Sequence, residues 1–269
     1  MSIFPRFIKK VRASGKQYFT IDEAQQEMLL SRNAVRIGLA RLKKQGDLIS
    51  PAKGLYVIVP PEQQHMGCIP APELIPILMS YWDRPYYVGL LTAALYHGAT
   101  HQKPGAFQII VNRQMKRYLQ FGRISIECIY KKQMNHLPVQ NRIVGSGYLF
   151  IASPELTVFD LFFYLTRSGG LNHVATVLSE LIEVIDREKL VALAKIVSEK
   201  MWLQRFGYVL EHIVTDHEEK KIKIIRTLNA YMSDQTFSFV PLAPELPVIG
   251  ASRCYRWKII ENTTVESDE

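Results

Sequence analysis

The apolar positions near the start of the chain recur with helical spacing. Ile3, Phe4, Phe7, Ile8 and Val11 fall on one face, which predicts a first helix. Gly15 breaks the pattern, and Tyr18-Phe19 reads as a short extended pair. Thr20-Ile-Asp-Glu23 has the form of a capping box, in which Thr20 caps the amides and Glu23 reaches back. A second helix therefore runs from there to about Leu29. Ser31 is a further N-cap signal, followed directly by RNAVRIGLARLKKQG. There Val35, Gly38, Leu39 and Leu42 share an inward face, while Arg32, Asn33, Arg36, Ala40 and Lys43 share the opposite one. Gly46 ends this helix. Leu48-Ile49 and Leu55–Val59 are strand-like around a turn at Ser50–Gly54. Helix, helix, short break, helix and hairpin is the order of a winged helix-turn-helix.

Beyond residue 60 the text is mixed. Proline-interrupted helical sequence covers 70–82 and leads into Tyr86–Val88, then a helix over Gly89–His97. Strands are expected at Phe107–Val111, Ile124–Tyr130 and Tyr148–Ala152, the last preceded by a Gly145-Ser-Gly147 turn. Ser153 as N-cap and Pro154 at the first helical position open an apolar helix to about Leu165. Further helices are expected over Leu171–Ile185, Arg187–Ile213 with a break near Phe206-Gly207, and His217–Met232. Phe237–Val240 and Tyr255–Ile260 read as closing strands. The fold class is α+β: an N-terminal winged helix-turn-helix followed by a larger α+β domain with a small sheet and several helices. The expected divisions are 1–60 for the winged helix, 61–80 for a connecting segment, 81–260 for the larger domain and 261–269 for an acidic disordered tail.

Charge sharpens this division. The 269 residues carry 33 Lys and Arg against 25 Asp and Glu, a formal charge of +8. Residues 1–60 hold eleven of the bases and only four acids, so the remainder is close to neutral. Three widely spaced cysteines offer neither a disulfide framework nor a metal knuckle. There is no signal-peptide pattern and no apolar run of membrane-spanning length, so a soluble cytoplasmic protein is expected, with no membrane partner.

The basic module suggests double-stranded DNA as its partner. A recognition helix enters the major groove with polar or basic side chains near its N-terminal half, where Ser31, Arg32, Asn33 and Arg36 stand. Arg can read guanine bidentately and Asn can read adenine. Lys43 and Lys44, and Lys53 at the wing tip, are placed for phosphates. Arg113, Lys116 and Arg117, with Lys131-Lys132, offer either a solvated rim or a second phosphate-contacting surface.

Other chemistry is weakly signalled. His97 and His101 have the i, i+4 spacing of a helical zinc pair, but Gly98 replaces the glutamate of a zincin and tends to end the helix. Gly145-Ser146 suggests a phosphate turn, yet no Asp-x-Asp pair follows it. Glu127 lacks the Glu-x-Lys context of a metal nuclease. No catalytic residue, metal ligand or cofactor is assigned, and the chain is read as not an enzyme.

Several blocks together resemble the AbiEi-type antitoxins of type IV toxin–antitoxin and phage-defence systems. They are Leu30 to Pro60, Tyr86-YVGLLTAALYHGATHQKP, Gly147-YLFIASPELTVFDL, Gln204-RFGYVLE and Trp257-KIIEN. Phe206 and Val209 depart conservatively from the leucines more usual there. The resemblance implies a winged helix that binds inverted repeats in its own promoter and represses its operon. It also implies a C-terminal domain that provides antitoxin activity against a nucleotidyltransferase-like toxin, without a stable complex. The alternative is a stand-alone winged-helix regulator whose C-terminal domain senses a ligand or partner.

Overall fold

The computed structural model describes residues 3–100 and 103–266. The chain forms two compact units that interleave in sequence. One comprises the chain up to 86 with 105–132 and 141–150; the other comprises 87–104, 133–140 and 151 onward.

The first unit opens with α1 (Ile3–Ala13), β1 (Tyr18–Thr20), α2 (Ile21–Met28), α3 (Arg32–Gln45), β2 (Leu48–Ala52) and β3 (Leu55–Ile58). The strands form an antiparallel sheet in the order β1-β3-β2. The capping box is present: the Glu23 amide donates to Thr20 Oγ1 (3.2 Å) and the Thr20 amide to Glu23 Oε2 (2.6 Å). Leu29 takes a left-handed conformation (φ 54°) and turns the chain from α2 to α3. Phe7, Phe19, Ile21, Ala24, Met28, Val35, Leu39, Leu48 and Ile58 fill the core beneath. Phe7 and Phe19 meet edge to face, with centroids 4.9 Å apart.

The connecting segment is built into this unit. A 3-10 turn (Pro61–Met66) is tied by Gln64, whose Nε2 donates to Asp47 Oδ1 (2.9 Å), and α4 (Ala71–Tyr81) follows. The Tyr81 hydroxyl donates to the Lys53 carbonyl at the hairpin turn (2.8 Å). Then come β4 (Tyr86–Val88), β5 (Phe107–Val111), β6 (Tyr118–Phe121), β7 (Ile124–Tyr130), β8 (Val139–Val144) and β9 (Gly147–Ala152). Within this unit β7 pairs in parallel with β5 and antiparallel with β6, and in the other unit Val88 of β4 pairs in parallel with Ile151 of β9. Gly122 in the β6–β7 turn lies so close to Met66 and Gly67 that a Cβ would approach the Met66 carbonyl to 2.2 Å. Only glycine fits there. β6 and β8 have no counterpart in the sequence reading.

In the second unit α5 (Leu90–Tyr96), α7 (Leu171–Leu181), α8 (Arg187–Ile196) and α9 (Met201–His212) pack around α6 (Pro154–Phe163). α6 is buried from Pro154 through Phe162, which explains why its apolar text shows little amphipathic period. Its start is as read: Ser153 Oγ accepts from the Leu156 amide (3.2 Å). Its buried acids accept hydrogen bonds from neighbouring elements. Glu155 accepts from Ser153 Oγ (2.8 Å) and the Asp186 amide (2.9 Å), and Asp160 from the Tyr87 hydroxyl (3.1 Å). α10 (Glu218–Ser233) packs on α8 and α9. A small sheet of β10 (Val240–Pro241), β12 (Ile259–Glu261) and β11 (Ser252–Cys254) closes the unit.

Three local expectations need correction. The helical break falls at 197–200, not at Phe206-Gly207. Lys200 Nζ donates to the Ala194 and Val197 carbonyls at the break, and Gly207 lies mid-helix beneath the Trp257 ring. Tyr255–Lys258 is a turn between β11 and β12, with Lys258 at φ 52°. Glu261, assigned to the tail, ends β12 and accepts from Tyr208 (3.0 Å) and Ser252 (2.7 Å).

Candidate nucleic-acid interface

The candidate site is the exposed side of α3. Ser31 caps it through the Ala34 amide (3.3 Å), and Gly46 closes it with its N–H on the Leu42 and Lys43 carbonyls. Val35, Gly38 and Leu39 are buried. This fixes Arg32, Asn33, Arg36, Ile37, Ala40, Arg41, Lys43 and Lys44 on the exposed arc. Fourteen residues span about 21 Å, a length that fits within one turn of a DNA groove.

The ion pairs of this module leave that arc largely free. Lys10 pairs with Glu27, Lys16 with Glu23 (3.7 Å) and Arg32 with Asp22. Arg36, Arg41, Lys43, Lys44 and Lys53 have no carboxylate partner among the described residues. Three of the four acids, Asp22, Glu23 and Glu27, sit on α2, and of the cations on the arc only Arg32 pairs with one of them among the described residues. The Arg32–Asp22 pair is exposed on both sides, so exchanging Asp22 for a nucleic-acid group costs little.

The hairpin turn lies at the same end of the module as the start of α3. The Ile21 amide, at the first residue of α2, donates to the Gly54 carbonyl (2.8 Å), and the next residue, Asp22, holds Arg32. Lys53 is thus brought toward the N-terminal end of α3, with Lys43 and Lys44 at the other end. Ile37 and Arg41 belong to the same arc and were missed as site residues. The helical spacing could have included them, since both lie outside the inward set.

The second basic group is divided by its partners. Arg117 is committed to Glu127, with Nε and Nη2 both 3.1 Å from Oε1. Glu127 is only 5% exposed and also accepts from Gln108 and the Tyr118 hydroxyl. Arg117 therefore neutralises a buried carboxylate. Arg113 and Lys116 are exposed and have no such partner among the described residues.

The remaining candidates resolve into structural roles. His97 caps the end of α5 and donates from Nε2 to the Ala152 carbonyl (2.8 Å); His101 lies outside the described residues. Burial holds the His97 imidazole below its ordinary value, consistent with a neutral ring. The Gly145 amide, read as part of a phosphate turn, donates to the Glu73 carboxylate (3.1 Å), and Ser146 donates to the Glu73 carbonyl (2.7 Å). A carboxylate already fills that turn. Burial pushes the Cys68 and Cys128 thiols up to about 12, so neither is a nucleophile near neutrality. Among the described residues no group of three or more His, Cys, Asp or Glu side chains could hold a metal ion. Among the described residues no helix is long and apolar enough to cross a membrane.

The fold is similar to that in the crystal structure of the RV2827C protein from Mycobacterium tuberculosis. The TM-score is 0.70 at 13% identity, over 96% of this chain and 90% of that one. At that identity the likeness concerns the fold alone. No curated protein matches the chain in sequence. A family match covers the stretch from β4 to the end of α9: residues 87–212 match the AbiEi antitoxin C-terminal domain.

Proposed function

We propose that this protein is a DNA-binding antitoxin that represses its own operon and counteracts a nucleotidyltransferase-like toxin. The AbiEi domain supports an antitoxin role in a toxin–antitoxin system. The DNA-binding half of the proposal is carried by one observation. The capped helix α3 presents Arg36, Arg41, Lys43 and Lys44 without acidic partners, on the arc opposite its buried face. Long cations on one exposed helix face, flanked by Lys53 on a hairpin, match the chemistry of a major-groove reader with phosphate anchors. Asn33 and Arg36 are the proposed base readers. Ser31, Lys43, Lys44 and Lys53 set register on the backbone, and Arg113 and Lys116 extend the basic surface.

The two halves are tested separately. A reporter driven by the protein's own upstream region should be repressed by the wild type and released by Arg36→Ala. Co-expression with the toxin encoded beside it should restore growth, and Arg36→Ala should retain that rescue. Loss of rescue in an otherwise folded Arg36→Ala would contradict the division of labour. No repression by the wild type would remove the regulatory half.

A further inference from the structure

We infer that Ile37 is a specificity-determining residue that reads a thymine through its C5 methyl group. This rests on the DNA-binding reading of α3. Ile37 is 49% exposed and lies on the outward arc, one turn after Asn33 and one turn before Arg41. Single exposed apolar residues are common and by themselves signify nothing. The position of this one is what carries the inference. Asn33, Ala40 and Arg41 flank it on the arc, with Arg36 beside it and Lys44 a further turn on; none of these three cations is paired with a carboxylate among the described residues. A second copy of the same helix face would bring like charges against them, whereas DNA brings phosphates. Charge complementarity therefore selects the nucleic acid as the occupant.

The chemistry then narrows what Ile37 can recognise. A branched hydrocarbon neither donates nor accepts a hydrogen bond, so it cannot read the polar pattern of a base edge. The apolar feature of the major-groove edges is the thymine methyl. Ile37 would exclude water from that methyl while Asn33 and Arg36 bond the polar edges beside it. The residue would thus discriminate thymine from cytosine in the same place.

Deoxyuridine substitution isolates this contact, because it removes the methyl and leaves the base pairing and the polar edge intact. The full-length protein is titrated with its upstream DNA and with the same duplex carrying deoxyuridine for thymine. Wild type should bind the uracil duplex about fourfold more weakly for each methyl contacted. Ile37→Ala should bind both duplexes equally, at about the affinity of wild type for the uracil form. Alanine favours an exposed helix, so this variant should fold. Equal binding of both duplexes by the wild type overturns the inference while leaving the DNA-binding reading standing. An equal loss in wild type and Ile37→Ala also overturns it, since other residues would then read the methyls. No preference for the upstream sequence over random DNA overturns the reading of α3 itself. If Ile37→Ala instead shifts the free protein from dimer to monomer in sedimentation, the side chain belongs to a protein interface and the inference fails.

Discussion

The tip of the Phe4 ring points directly at the backbone of Gly38. A Cβ built at position 38 would stand 1.9 Å from Phe4 Cζ, well inside any allowed contact. Gly38 is therefore the seat through which α1 docks on α3. Gly38→Ala should lower stability by about 1–3 kcal/mol through overpacking, against a smaller gain in helix propensity. In a Phe4→Ala background the same change should be neutral or stabilising. Thermal or urea unfolding of the four proteins checks the coupling, and additive effects would contradict it.

Arg117 and Arg113 stand four residues apart but do different work. Removing Arg117 takes a guanidinium away from the buried Glu127, which still accepts from Gln108 and Tyr118. Arg117→Ala should cost about 1–3 kcal/mol, less than the roughly 3–5 kcal/mol for breaking a fully buried pair, because the arginine is half exposed. Arg113→Ala should stay within about 0.5 kcal/mol, as an exposed substitution does. Unfolding midpoints distinguish them; equal costs would reverse the assignment.

His97 gives the stability a dependence on pH. Its folded value is held below the ordinary 6.5 by burial, so the unfolded chain takes up the proton first as pH falls. Its contribution is fully present above about pH 6.5 and is lost as pH falls from there through the folded value. His97→Gln should flatten the fall in urea midpoint between about pH 7.5 and 5.5, relative to wild type. An unchanged difference between the two proteins across that range would contradict the neutral, buried imidazole.

Asp22 restrains Arg32 in the free protein. Asp22→Asn should tighten binding to all DNA sequences by removing a negative charge, and should steepen the salt dependence. If Asp22 also orients the guanidinium, the ratio of specific to non-specific affinity should fall. Titrations at several salt concentrations separate the two effects.

Much of this was legible because it is local. The capping box of Thr20 and Glu23, the Ser31 and Ser153 caps and the Gly46 stop each depend on residues within a few positions of one another. What escaped depends on distant partners. Gly207 reads as a helix breaker, yet the Trp257 ring fills the space where its Cβ would lie, fifty residues on in the chain. β8 reads Val-Gln-Asn-Arg-Ile-Val with almost every residue exposed, so it carries no apolar alternation to reveal it. The site was legible to the same degree. Helical spacing put Arg32, Asn33, Arg36 and Lys43 on one face, but nothing in the sequence linked Asp22 to Arg32 or Glu127 to Arg117.

The central claim is that α3 reads DNA sequence. The most direct test measures binding of the full-length protein to its own upstream region and to a scrambled duplex, across a range of salt. The account predicts a preference of at least about a thousandfold for the upstream region at physiological salt. Both affinities should fall as salt rises, and Arg36→Ala should lose most of the preference while Lys53→Ala weakens both duplexes alike. Equal affinity of the wild type for the two duplexes would contradict it.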